Sequence, residues 1–251
     1  MRSGMKEHYN RSLFIHFILG LIVILSCGKL VYNILVPSKP NIILTINKEN
    51  NFIKFSTSND VKANLYQAAP QVQNTATRFL NAKAMVIGDS TAEGLSAYQV
   101  LDSSSVIWKR GRSIQYMYDD MGPVIEYNPK VLFLAYGAND LLSWNGNVDG
   151  YINAYSKVLD YLSTTLPNTK ICVNSILPVS EDAATKNPAF NYEKEFNLKL
   201  KALCDSRNIT YIDNRDSLNS ISGKKYENDG VHPKPAYYKL WASNMVNKSG
   251  I

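Results

Sequence analysis

Met85-Val86-Ile87-Gly88-Asp89-Ser90 passes from a continuous apolar run into a glycine and a small polar pair. The run has no period-two alternation, so it suits a strand covered on both faces, as in a parallel sheet. Outward from it the same grammar recurs. Strands are expected at Ala84–Ile87, Ser105–Trp108, Val131–Tyr136, Ile171–Ser175 and Ile209–Ile212. Helical patterns fall at Ser113–Met121, Tyr151–Leu166, Tyr192–Arg207 and Ala236–Val246. Alternating strands and helices predict a parallel five-stranded sheet between two helical layers, an α/β/α sandwich. In such sheets the functional site lies beyond the carboxyl ends of the strands. The residues that follow each strand are therefore the ones to examine.

An imidazole base is found by elimination. The chain has three histidines, and His8 and His16 lie in the N-terminal region, leaving His232 for the α/β domain. Asp229 precedes it by three residues in Asn228-Asp229-Gly230-Val231-His232-Pro233. A turn through Gly230 lets that carboxylate approach the ring and fix its tautomer. Taken alone, the hexapeptide reads equally well as a surface turn before a helix starting at Pro235. Ser90 stands at a strand end, and its backbone N–H is a candidate donor to an oxyanion. The surrounding sequence is not the Gly-x-Ser-x-Gly elbow, because Ala92 occupies the second glycine position. A second strand end carries Gly137-Ala138-Asn139-Asp140, in which the Asn139 amide is a candidate oxyanion donor. Asp140 is expected to be a helix N-cap. A third carries Trp108-Lys109-Arg110-Gly111-Arg112, in which the Gly111 N–H is a candidate donor and a simple turn is the plain alternative.

Together these stretches resemble the SGNH (GDSL-type) hydrolase family. Gly88-Asp89-Ser90 looks like its first block, Gly111 its second, Gly137-Ala138-Asn139-Asp140 its third, and Asp229-Gly230-Val231-His232 its last. The resemblance covers about residues 82–247, and the blocks occur in the family's order. It implies a flavodoxin-like arrangement, an ester-hydrolysing activity, and no cofactor or metal. It further implies Ser90 as nucleophile, His232 as base, Asp229 as its orienter, and the Ser90 N–H, Gly111 N–H and Asn139 amide as the oxyanion hole.

The first forty residues read separately. Leu13–Val36 is strongly apolar and follows Arg2, Lys6 and Arg11, so a single transmembrane helix over 12–36 is expected. Residues 1–11 would then be cytoplasmic, and the domain at 82–251 extracytoplasmic. Cleavage near Ile24-Leu25-Ser26-Cys27 competes with this, but the apolar run continues past Cys27. Residues 37–81 are expected to be an extension, with β-like runs at Ile42–Thr45 and Phe52–Phe55 around a polar turn and an added helix or spacer after them. Cys27, Cys172 and Cys204 have no metal-ligand spacing; Cys172 and Cys204 are expected as buried thiols. A net charge of +6 from dispersed lysines, without basic runs interleaved with aromatics, argues against nucleic acid as partner.

The expected substrate is an O-acetyl ester on cell-envelope or environmental carbohydrate. Alternatives are an O-acyltransferase with the same triad, a lipid-directed esterase, and a non-catalytic envelope-binding domain. Trp144, Asn145 and Asn147 are candidates for a sugar-binding wall, set against a plain surface loop. Arg110 and Arg112 are either anchors for an anionic glycan or solvated charges.

Overall fold

The computed structural model describes residues 75–251 and, before them, three strand segments. The chain divides into two compact units, Met1–Gln67 and Ala68–Ile251. In the first, strands β1 (Leu30–Ile34), β2 (Ile42–Asn47) and β3 (Phe52–Thr57) form an antiparallel meander. Leu30 pairs with Ile46 and Ile34 with Ile42, so this stretch is extended. Over Leu30–Ile34 the transmembrane helix expected at 12–36 is corrected: a backbone paired across a ladder cannot carry helical bonds as well. Residues 1–29 lie outside the described residues. Among the described residues no helix is long and apolar enough to cross a membrane.

The second unit is built on five parallel strands: β4 (Ala84–Gly88), β5 (Val106–Trp108), β6 (Val131–Ala135), β7 (Lys170–Asn174) and β8 (Thr210–Ile212). Their order is β5-β4-β6-β7-β8. Every residue of β4 and β6 is buried, which is why these strands read as unbroken apolar runs. Successive side chains leave the sheet on opposite faces. Met85, Ile87, Leu132, Leu134 and Val173 pack in one core with Tyr151, Tyr155, Leu162, Phe196 and Leu200. Those partners come from α4 (Val148–Thr165) and α6 (Glu193–Ser206). Val86, Phe133, Ala135 and Cys172 pack in the other with Leu95, Tyr237, Trp241 and Met245. Leu95 lies on α1 (Ser90–Ala97) and the other three on α8 (Pro235–Ser249). The remaining helices are α2 (Met121–Tyr127), α3 (Ala138–Trp144), α5 (Glu181–Lys186) and α7 (Arg215–Asn219).

Two local readings change. A short helix over residues 75–81 sets Phe79 against Phe133, with ring centroids 5.2 Å apart, so the compact unit starts before Ala82. The single helix expected at Ser113–Met121 is a 3-10 segment, Ile114–Asp120, leading into α2. Cys172 and Cys204 are buried free thiols, and burial pushes both up, to about 11 and about 12.

The sheet begins at β4, adds β5 on one side, and then continues through β6 on the other. The chain therefore leaves β4 and β6 toward opposite directions, opening a crevice beyond their carboxyl ends. Gly88, the last residue of β4, is what lets these two tips close up. A Cβ there would stand 2.2 Å from the Ala135 carbonyl oxygen.

Candidate active site

Ser90 is the first residue of α1, directly after β4. Asp89 caps that helix by accepting from the Thr91 N–H at 2.8 Å, which fixes the turn carrying the Ser90 hydroxyl. Across the crevice, Asn139 lies in the first turn of α3, directly after β6. Its Nδ2 donates to the second Asp89 oxygen at 3.2 Å. One buried carboxylate thus holds both strand-end turns. Burial pushes the Asp89 carboxyl up, while the bonds from Thr91 and Asn139 and the nearby His232 oppose that rise. The sequence reading gave Asp89 no task. Its signal was an aspartate immediately before a helix start.

The loop with His232 is held from below. Gly230 has a left-handed φ of +72°, and a Cβ there would lie 2.1 Å from the Ser180 hydroxyl. Only glycine fits this turn without displacing the start of α5. Asp229 Oδ1 accepts from the N–H groups of Val231 at 2.8 Å and His232 at 3.0 Å. Its other oxygen meets His232 Nδ1 at 2.6 Å. On the far side of the ring, Nε2 is 2.8 Å from Ser90 Oγ. Serine and histidine, 142 positions apart in the chain, are thereby joined. Partial burial pushes the Asp229 carboxyl up, but the Val231 N–H, the His232 ring and the His232 N–H outweigh it and hold it below the usual range. The group therefore stays ionised through neutral pH. Its contribution to stability is present above the ordinary carboxylate range and is lost as pH falls through the lowered value.

Gly111 lies in the turn after β5, exposed, with φ of +73°. Its neighbours fasten that turn to both sides of the crevice. Arg110 grips Glu93 of α1 through Nε and a terminal nitrogen, both at 2.6 Å. Ile114 N–H donates to Asp140 Oδ1 at 2.9 Å, and Ser113 Oγ lies 2.9 Å from Ser143 Oγ of α3. Asp140 is therefore not the N-cap that was expected. The helix is capped at Gly137, and the Asp140 carboxylate is spent on the Ile114 loop. Arg112 pairs with Asp119 and Asp120, at 3.0 and 2.6 Å. Both arginines are thus held by carboxylates of the chain itself.

The Ser90 hydroxyl opens on a groove of about 490 Å³ lined by Glu93, Tyr98, Arg110, Glu227, His232 and Tyr238, among others. A separate pocket is lined by Asp89, Gly137, Ile176, Leu177 and Val231 among others. Trp144, Asn145 and Asn147 line neither. Trp144 packs on the core, Asn145 closes α3 in a left-handed conformation, and Asn147 caps α4 by accepting from the Gly150 N–H at 3.0 Å. The sugar wall that was one of two readings there is not supported: the core takes up Trp144 and a helix cap takes up the Asn147 side chain. The residues that line the groove instead, Tyr98 and Tyr238 foremost, had no sequence signal beyond being aromatic.

Comparison with known proteins points the same way as the geometry. The model of the GDSL-like lipase/acylhydrolase family matches residues 86–240. A multidomain esterase of Ruminococcus flavefaciens is 26% identical over 189 residues, spanning 72% of this chain and 24% of that protein. The chain thus spans about a quarter of that relative's length. A GDSL-like lipase from Bacteroides thetaiotaomicron superposes with a TM-score of 0.53 at 18% identity, covering 73% of this chain and 96% of the other. A catalytic mutant of an acetylxylan esterase from Geobacillus stearothermophilus does so with 0.51 at 14%, covering 68% and 94%. At these identities the structural likenesses establish the fold, and the family match establishes the lineage. The chain belongs to the GDSL-like lipase/acylhydrolase family, the SGNH hydrolases.

Proposed function

We propose that Ser90, His232 and Asp229 form the catalytic triad of an esterase that removes acetyl groups from carbohydrate. The observation that carries this reading is the unbroken relay from Ser90 Oγ to His232 Nε2 at 2.8 Å and from Nδ1 to Asp229 at 2.6 Å. With Asp229 ionised, His232 keeps its proton on Nδ1 and offers the Nε2 lone pair to the serine hydroxyl. Ser90 Oγ attacks the ester carbonyl as its proton passes to Nε2. The tetrahedral oxyanion is received by the N–H groups of Ser90 and Gly111 and by the Asn139 amide. The positive end of α1 favours the same charge. Collapse expels the alcohol, which takes the proton from His232, and leaves Ser90 acylated. Water repeats the cycle in reverse: it loses a proton to His232, attacks the acyl carbon and releases the acid and the free serine.

For the acyl group we propose acetyl. The likeness to an acetylxylan esterase supports this choice. Initial rates on a series of ethyl esters from acetate to octanoate test it. We expect kcat/KM to be highest for acetate and to fall at least tenfold by butanoate; a maximum at eight carbons would indicate a lipid-directed enzyme.

Asn139→Ala should lower kcat by about 10²–10³-fold, the scale for losing one oxyanion donor. Steady-state kinetics on ethyl acetate checks this, and unchanged turnover would remove Asn139 from the site.

We further propose that an apolar segment within residues 12–29 tethers the domain to a membrane, with the ester-cleaving unit on the extracytoplasmic side. The support is the sequence: apolar residues from Leu13 onward, preceded by Arg2, Lys6 and Arg11. Carbonate extraction of membranes from expressing cells tests it, and release into the supernatant would contradict it.

A further inference from the structure

The alcohol side of the ester has its own wall. Tyr98 caps the C-terminus of α1 and lines the Ser90 groove, the residue being 43% exposed. The ring is not loose. Its centroid is 5.2 Å from that of Tyr238, which is almost fully buried. Tyr238 in turn lies over Gly94, where a Cβ would be 2.2 Å from its ring. Glycine in mid-helix costs stability. Here it makes room for the ring that backs Tyr98. An aromatic face held by packing, open to solvent and lining the same groove as a nucleophile has low ordering cost on binding.

The charges of the groove narrow the choice of ligand. Glu93 is paired with Arg110 and Glu227 with Lys234 at 2.6 Å, while Asp229 is hydrogen-bonded to the His232 ring. The two glutamates have internal counter-charges, and the Asp229 carboxylate is taken up by two backbone N–H groups behind the His232 ring, so the walls are polar with little free charge. Such a surface offers no single unpaired charge to seize a phosphate or a quaternary ammonium. It suits a neutral ring with one apolar face and several hydroxyls.

We propose that Tyr98 is the stacking platform for a neutral sugar ring in the leaving alcohol, making it a specificity-determining residue of this enzyme. The proposal rests on Ser90-centred ester cleavage. The test compares two acetyl esters: an O-acetylated xylo-oligosaccharide, and ethyl acetate, whose leaving group has no ring face. In Tyr98→Ala the ratio of kcat/KM on the oligosaccharide to that on ethyl acetate should fall roughly tenfold, the scale of truncating one aromatic anchor. The loss should appear chiefly in KM. Tyr98→Trp should restore most of the ratio, whereas Tyr98→Leu, which keeps bulk without a ring face, should not. An unchanged ratio in Tyr98→Ala overturns the proposal, as does full rescue by leucine. A wild-type enzyme that cleaves ethyl acetate but no acetylated oligosaccharide also overturns it, while leaving the esterase reading intact. Failure of wild type on both esters would instead remove the reading on which the proposal stands.

Discussion

Ser90→Ala is expected to lower kcat on acetyl esters by about 10⁵–10⁶-fold, with KM changed far less and thermal stability retained. The size follows from what the hydroxyl does. Without it no acyl-enzyme forms, and His232 can only assist direct attack by water. What survives is the oxyanion donors of Ser90, Gly111 and Asn139, which leave a residual acceleration of about 10³–10⁴ over water. Ser90 is only partly buried, and its side-chain partner is the His232 ring. Removing one oxygen therefore leaves neither a cavity in the core nor an orphaned backbone group. Active-site kinetics together with a melting curve distinguish this from unfolding. A loss of less than about tenfold would mean that another group supplies the nucleophile.

Asp229→Asn carries the second-largest expected effect, a fall in kcat of about 10⁴-fold. The asparagine preserves one acceptor for the Val231 and His232 N–H groups, so the turn through Gly230 is kept. Its amide nitrogen, however, is a donor. When turned toward Nδ1 it favours the tautomer with the proton on Nε2, the atom that must accept from Ser90. The imidazolium also loses the counter-charge 2.6 Å from its Nδ1. Because the aspartate is held below the ordinary carboxylate range, the wild type keeps this charge well into mildly acidic solution. The variant should lose activity at every pH and not merely at the acid end. A pH–rate profile of both proteins measures this. An unshifted profile with near-normal turnover would show that His232 is oriented by something else.

Much of this architecture is legible in the sequence, and for identifiable reasons. β4 and β6 are central strands buried on both faces, so their apolar runs carry no alternation and stand out. α4 and α6 present long stripes to the core, and their periodicity shows. The short helices escaped. α1 reads Ser-Thr-Ala-Glu-Gly-Leu-Ser-Ala, small and glycine-containing, with Leu95 as its one large apolar residue. Its helical state comes from the Asp89 cap and from packing on the sheet, neither of which is periodic. The strand at Leu30–Ile34 was missed for the opposite reason. An apolar stretch has the same composition whether it becomes a helix or one strand of a meander, and only the pairing with Ile42–Ile46 separates them.

The site divides along similar lines. Ser90, Asn139 and Gly111 stand out as candidates because each lies two to four residues past a strand, and His232 because no other histidine lies in the α/β domain. The supports were not. That Asp89 joins Ser90's helix to Asn139, or that Arg110 binds the Gly111 loop to Glu93, depends on chain segments 50 and 17 residues apart meeting in space. The tyrosine face at Tyr98 depends on Gly94 and Tyr238 together, and these have no common signature along the chain.

The central claim is that Ser90 is the nucleophile activated by His232. Mass spectrometry of the protein after treatment with a fluorophosphonate addresses it directly. The account predicts one covalent adduct, located on Ser90, that forms at least a hundredfold more slowly in His232→Ala. An adduct on any other residue, or labelling of Ser90 at the same rate without the imidazole, would contradict it.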